Sequence, residues 1–169
     1  EENNDKIIIF GNGLNSLQKP DGEIYLGNSG TSARLLTGLL ASQNFDTILT
    51  GDKSLSSRPM KRITEPLSKM GAEIKTNNGK LPLKIKGSIL KNCKIQIELP
   101  SAQIKSGLIL AALNTKGISF INENHITRNH TEIMLESFGA EIDTKKYGHS
   151  SQIIINGKKT LKPKNIDVP

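Results

Sequence analysis

The sequence predicts an α/β fold (in the wider sense α+β): an inside-out lobe, with sheets outside and helices at the centre, built by repeating one β-α-β-α-β-β module with approximate threefold symmetry. Three observations predict it. The stretches SGTSARLLTGLLA (Ser29–Ala41) and SAQIKSGLILAAL (Ser101–Leu113) are two versions of one helix opening, about seventy residues apart, and a repeat of that length is a whole α/β unit rather than a solenoid turn. Each is followed by an apolar strand-like run, an Arg and a short helix, which closes on LSKMGAEI (Leu67–Ile74) or LESFGAEI (Leu135–Ile142). Both long helices are apolar over most of their circumference, which suits the interior of a fold and not its surface.

The elements follow in order. Residues 5–10 read as a strand, ended by Gly11–Gly13 and a loop through Pro20–Gly22; residues 1–22 would be the last strand and connector of a truncated first module. A short strand over 23–27 leads into the helix over 31–42, and 45–50 forms the next strand. Pro59 suits the first turn of a helix over 60–70, where a missing N–H loses nothing; Ile63, Leu67 and Met70 share one face of it. Gly71 ends that helix, and strands over 72–76 and 83–86 flank the Asn77-Asn78-Gly79 turn. This module spans 23–90. The second, 91–158, repeats the order: strand 94–99, buried helix 102–113, strand 117–121, amphipathic helix 131–138 capped by Gly139, and strands 140–144 and 152–155. The lysine-rich stretch from Gly157 to Pro163 reads as an exposed connector, with 159–169 leading toward a second lobe. A start without Met and a stop inside a strand-like pattern predict a piece of a longer protein.

A chain of 169 residues can bury a sizeable core. Apolar residues are 35% of it, aromatics 4%, and Trp is missing, so the core must be aliphatic. The net charge of +7 is either a solvated lysine surface or a field that draws in anions. Nucleic acid is the weaker reading, because neither aromatic platforms nor a compact basic helix is present. Cys93 is the single cysteine, which leaves no disulfide framework and no thiolate metal cluster. In its alternating strand pattern it reads as a packed thiol and not a nucleophile. No apolar run approaches the ~20 residues that cross a bilayer, and no signal peptide is visible.

The chemistry gathers at the helix openings. Asn28-Ser29-Gly30-Thr31 offers a glycine, which lets a ligand approach the backbone, and the orphan amides of a helix N-terminus. That is a seat for phosphate or carboxylate, or else a plain N-cap by Ser29 or Thr31. Ser101-Ala102-Gln103 carries the same ambiguity, with Gln103 also able to close a capping box. Arg58 and Arg128 stand at matching strand-to-helix corners, and a guanidinium fork fits phosphate and carboxylate oxygens. Together these residues suggest a site for two small anions, or for one with two charged groups. His130 reads as a packing or capping residue, and Arg34 as half of a buried structural pair. No His, Asp or Glu cluster has metal-ligand spacing, and no glycine pattern matches a nucleotide loop.

At these residues the chain resembles the 5-enolpyruvylshikimate-3-phosphate synthase family. The stretches LGNSGT (Leu26–Thr31), LTGD (Leu49–Asp52) with RPMK (Arg58–Lys61), PSAQIKS (Pro100–Ser106) and RNHTE (Arg128–Glu132) occur in that family's order and spacing. The sister transferase acting on UDP-N-acetylglucosamine lacks the SAQ and RxHTE pairing and usually uses a loop cysteine that Cys93 does not match. The resemblance implies a two-lobed cytoplasmic, monomeric shikimate-pathway enzyme of aromatic amino-acid biosynthesis, closing over its substrates. It would move the enolpyruvyl group of phosphoenolpyruvate to shikimate 3-phosphate by addition and elimination, with no metal or organic cofactor, no nucleic acid and no membrane.

Carried onto this chain, the resemblance gives Ser101, Ala102, Gln103 and Arg128 to the phosphate of shikimate 3-phosphate. Gly30, through its N–H, and Arg58 go to phosphoenolpyruvate, Gln103 touches both, and Asn28 shapes the turn under Gly30. The family's Lys-Ser and Arg motif would precede Glu1, and its acid and base groups would follow Pro169. The piece is therefore expected to hold binding residues, no catalytic residue, and no activity alone. Gly30 implies ordinary sensitivity to glyphosate-type inhibitors, which family members with Ala there tend to resist. An enolpyruvyl transferase with another acceptor, or a non-enzymatic anion- or RNA-binding module, are the competing readings.

Overall fold

The computed structural model describes residues 2–3, 6–14 and 16–167. At the start, β1 (Glu2–Asn3) and β2 (Lys6–Ile7) pair as an antiparallel ribbon. The strand expected over 5–10 is thus reduced to Lys6–Ile7, with residue 5 outside the described residues. Ile9 and Phe10 are exposed, so nothing apolar holds them extended.

Two modules of the same plan follow. The first comprises β3 (Ile24–Tyr25), α1 (Gly30–Ala41), β4 (Thr47–Thr50), α2 (Lys53–Ser57), α3 (Lys61–Lys69), β5 (Glu73–Asn77) and β6 (Lys80–Lys86). The second comprises β7 (Lys94–Ile97), α4 (Ala102–Leu113), β8 (Gly117–Glu123), α5 (His130–Ser137), β9 (Glu141–Tyr147) and β10 (Ser150–Gly157). The sheets run β3-β4-β6-β5 and β7-β8-β10-β9. In each, the first pair is parallel and the others antiparallel. The fold is the expected α/β arrangement with helices inside and sheets outside. Two copies of the module occur among the described residues.

Alternation explains the sheets. Along β6, Leu81, Leu83 and Ile85 point into the core while Lys80, Lys84 and Lys86 face water. β10 does the same with Ile153 and Ile155. The Asn78-Gly79 turn joins β5 to β6 with φ of 51° and 77°, the left-handed pair that a tight hairpin needs. The β9–β10 hairpin reaches further than the apolar signal over 140–144 and 152–155, because its outer rungs are polar and carry no period of their own.

Helix α4 is buried from Ile104 to Leu113 with only Leu110 partly exposed. Helix α1 departs from expectation: Ala33, Gly38, Leu40 and Ala41 are buried, but Leu35, Leu36 and Leu39 are half-open. The two helices are parallel. Gln103 bonds Thr31 at their starts (2.7 Å), and Asn114 bonds Ser42 at their ends (3.1 Å). Between these points the backbones touch: a Cβ on Gly38 would lie 1.9 Å from the Gly107 carbonyl oxygen, and one on Gly107 would lie 2.7 Å from that of Arg34.

Three local details depart from or add to the sequence reading. Pro59 does not enter the first turn of α3, which starts at Lys61 with Met60 as its N-cap. The segment before it forms α2, hidden from periodicity by its length; Asp52 caps it by accepting from Leu55 N–H (2.7 Å), and Leu55 is fully buried. The stretch after Gly157 is mostly exposed, as expected, but it is tied down. Lys158 N–H bonds Leu113 O (2.8 Å), Lys162 N–H bonds Phe138 O (2.7 Å), and Leu161 packs on the core.

The backbone contact between α1 and α4 sets a sign test. Helix propensity alone would make Gly38→Ala stabilising by ~1 kcal/mol, whereas overpacking against an immovable carbonyl costs ~1–3 kcal/mol or more. The variant is expected to melt several degrees below the parent in a thermal unfolding scan; an unchanged or raised Tm contradicts the contact.

Candidate functional site

Parallel packing places the N-termini of α1 and α4 at one end of the lobe. Both helix dipoles are then positive at the same end, and the first amides of each helix lack intrahelical acceptors. Two N-caps form there, as the plainer reading of each motif expected. Ser29 Oγ accepts from Ser32 N–H (3.1 Å) and donates to Ser32 Oγ (2.8 Å), so its proton is already used. Ser101 Oγ accepts from Ile104 N–H (3.4 Å) and keeps its own proton for another acceptor. Capping and anion binding are therefore compatible at Ser101.

Gln103 does not close a capping box on its own helix. It crosses to the other module, donating from Nε2 to Thr31 Oγ1 (2.7 Å) and accepting at Oε1 from Arg34 Nη1 (3.1 Å). Arg34 Nη1 also donates to Gly30 O (3.0 Å). Arg58 Nη2 donates to Asn28 Oδ1 and weakly to Ser54 Oγ. A Cβ on Gly30 would lie 2.8 Å from Arg34 Nη1 and 3.0 Å from Arg58 Nη1, so both guanidinium groups converge on this glycine. Asn28, Gly30, Arg58 and Gln103 thus form one cluster.

Local folding explains the cluster. Asp52 N–H bonds Gly27 O (2.9 Å), tying the β4–α2 corner to the β3–α1 turn. Gly27 takes φ of 54°, which turns the chain sharply into Asn28. Gly30 N–H donates to Asn28 O (3.1 Å), so an anion there must share or displace that bond. Arg62, on α3, donates to Leu99 O (2.7 Å) and thereby holds the approach to Ser101.

Arg34 corrects the expectation of a buried structural pair: it is half-buried, and no carboxylate meets it among the described residues. Burial, then Arg62 and Arg58, lower its pKa below the ordinary guanidinium value. Like charges gathered without counter-charge are what an anion site provides.

Arg128 lies beyond this cluster. It is exposed, and its position is set by the residues around it. Lys105, 1% exposed, donates to Thr127 O (3.3 Å) and to Glu123 Oε1 (3.1 Å). Glu123 accepts from Thr127 N–H (3.2 Å), Thr127 Oγ1 (2.7 Å) and Ser151 Oγ (2.8 Å). Glu132 lies 2.8 Å from Lys105 Nζ as an ion pair, off the hydrogen-bonding direction. Ser106 bonds Thr131 (2.7 Å), so α4 grips the segment on both sides of Arg128. His130 is exposed at the first turn of α5, makes no cap, and lines a hollow with Ile133, Met134 and Ile166. Cys93 sits just before β7, not within it; burial pushes its thiol up, away from the thiolate a nucleophile needs.

No group of three His, Cys, Asp or Glu side chains among the described residues is placed to hold a metal ion. No helix among them is long and apolar enough to cross a membrane. A hollow lined by Ser42, Asn44, Gly87 and Lys158 lies at the other end of α1 and contains none of these residues. The sequence reading passed over Arg62 and Lys105. A single Lys inside an otherwise apolar helix was the available signal for the second; nothing marked the first.

Two helix starts and a knot of arginines thus meet at one end of an α/β module pair. The family model described as EPSP synthase (3-phosphoshikimate 1-carboxyvinyltransferase) matches residues 1–169, and the chain belongs to that family. It is 50% identical over 170 residues to the 3-phosphoshikimate 1-carboxyvinyltransferase of Ruthia magnifica subsp. Calyptogena magnifica, covering all of this chain and 38% of that protein. It is 48% identical to the enzyme of the same name from Vesicomyosocius okutanii, with the same coverage. The EPSP synthase structure from Acinetobacter baumannii superposes with a TM-score of 0.86 at 45% identity, over 92% of this chain and 35% of that one. The chain thus spans a little over a third of the length of these relatives.

Two outcomes are expected. Burial tends to raise the Glu123 carboxyl, but hydrogen bonds from Thr127, Ser151 and Lys105 win and hold it below its ordinary value. A lowered folded-state pKa gives stability that is present above the unfolded value of ~4.3 and lost as pH falls through the folded one. Tm should therefore drop steeply below about pH 4, and Glu123→Gln should flatten that drop while lowering Tm at neutral pH. In Gly30→Ala, the new Cβ meets only the far ends of two flexible side chains. Calorimetry should show the Tm within a few degrees of the parent, because those side-chain ends can move aside; a large drop contradicts this packing.

Proposed function

We propose that this chain forms one wall of the cleft of an enzyme that transfers the enolpyruvyl group of phosphoenolpyruvate to a hydroxyl of shikimate 3-phosphate, releasing phosphate. The observation that carries the reading is Gln103. It belongs to the second module and binds Thr31 and Arg34 of the first, which supports reading the two anion seats as one site. Family membership and the relatives' name supply the reaction.

In this reading Arg58 and the Gly30 amide take phosphoenolpyruvate. Ser101, with its free hydroxyl proton, the Ala102 and Gln103 amides and the Arg128 guanidinium take the phosphate of shikimate 3-phosphate. Gln103 lies between the two substrates, and Asn28 holds Arg58 over the seat. These groups bind and orient. Setting the hydroxyl against the enol carbon removes much of the entropic cost of a bimolecular step, and fixed positive groups balance the phosphate charge that builds on the way to elimination. No residue of this chain is assigned a proton transfer, so that task falls to the remaining length that its relatives possess. We place the enzyme in the cytoplasm as a monomer, with a second lobe of the same polypeptide as its closing partner.

The test is kinetic. A full-length polypeptide carrying this segment is expected to turn over both substrates, and the 169-residue chain alone to show none. In the full-length protein, Arg58→Ala should raise KM for phosphoenolpyruvate about ten- to a hundredfold, in keeping with a charged hydrogen bond worth ~1.5–3 kcal/mol. Arg128→Ala should raise KM for shikimate 3-phosphate instead. Turnover by the short chain, or loss of the same substrate in both variants, contradicts the assignment.

A further inference from the structure

We propose that Arg34 is a positioning residue of this site: it locks the Gln103 side-chain amide with its NH2 toward the substrates and its oxygen turned away. The proposal rests on the functional reading above and adds a residue that reading does not use.

The argument starts from what each group can do. A guanidinium has only donors, so the Gln103 atom facing Arg34 Nη1 at 3.1 Å must be the carbonyl oxygen. That choice forces Nε2 to the Thr31 side, where it donates at 2.7 Å. One of its two N–H bonds is used there and the other remains as a donor. Without Arg34, the Thr31 hydroxyl could accept from Nε2 or donate to Oε1 equally well, since a hydroxyl does both. The amide would then present its oxygen to an anion half the time, which repels. Arg34 is thus the group that makes the orientation unique.

Its other contacts fit the same task and no other visible one. The same Nη1 donates to Gly30 O at 3.0 Å, so one nitrogen ties the first turn of α1 to the second residue of α4. Arg34 has no carboxylate to neutralise among the described residues, unlike Lys105, which has two within 3.1 Å. A purely structural arginine in a half-buried place would be expected to have one. Arg58 and Arg62 lie close enough to disfavour its charge, an arrangement that a bound anion relieves.

The test uses side-chain 15N spectra of Gln103 and phosphoenolpyruvate titration of a full-length polypeptide carrying this segment, comparing the parent with Arg34→Met and Arg34→Lys. Methionine keeps length and apolar stem and removes the donor; lysine keeps the charge and one donor. In the parent, the Gln103 NH2 pair should be split apart and slow to exchange. Arg34→Met should collapse that pair toward the free-glutamine position and weaken phosphoenolpyruvate at least tenfold, with Tm close to the parent. Arg34→Lys should recover part of both. The inference is overturned if Arg34→Met leaves the Gln103 resonances in place, or if affinity stays within twofold. Should Arg34→Met fail to fold, Arg34→Lys decides: parent-like resonances and affinity overturn the inference, intermediate values uphold it. If the parent itself binds no phosphoenolpyruvate, the functional reading falls, and the Gln103 resonances alone then decide the role of Arg34.

Discussion

Everything at the functional end of this lobe depends on two glycines that have no room for a side chain. Gly38 and Gly107 bring the backbones of α1 and α4 into contact, closer than any residue with a Cβ permits. Contact at that depth fixes both the separation and the axial register of two parallel helices. Register is what matters for the site, because Gln103 must meet Thr31 and Arg34 across the interface. A shift by one helical turn, about 5.4 Å, would break both bonds and part the two helix starts. Parallel neighbours also set their dipoles side by side, which is unfavourable in itself. The positive end so created has a use only if something negative comes to it.

Charge is handled in two opposite ways within a few turns of α4. Lys105 is buried and fully answered, by two carboxylates and a carbonyl, and its cluster fastens the segment that carries Arg128. Breaking such a buried pair by removing one member costs on the order of 3–5 kcal/mol, so the cluster is a structural anchor. Arg34, Arg58 and Arg62 are gathered without any such answer among the described residues. They reach carbonyls, an Asn and a Gln, all neutral. The difference separates scaffold from site more clearly than burial or position along the chain does.

Much of this was legible in the sequence, and what was not has physical causes. The repeat announced itself because both modules use the same order of elements with a small-residue, apolar helix at the seam, and the alternation of β6 and β10 follows from sheets with one wet side. Asn28, Gly30, Arg58 and Gln103 could be named beforehand because helix openings and corner arginines leave a mark in spacing. Helix α2 left none, since five residues are too short for a period. Arg34 was misread because a charge on an apolar helix looks the same in sequence whether its partner is a carboxylate or a neighbouring amide. The half-open side of α1 was missed for a related reason: composition says that a face is apolar, and not whether anything covers it.

The central claim is that both modules contribute to one anion seat whose geometry is imposed by the helix seam. A crystal structure of a full-length polypeptide carrying this segment, grown with phosphoenolpyruvate, tests it most directly. The account predicts density for the ligand against Arg58 and the Gly30 amide, with Gln103 Nε2 as a third donor and α1 still touching α4 at Gly38. Ligand settled on the surface lysines of the outer sheets, with the arginine knot and Gln103 unengaged, would contradict it.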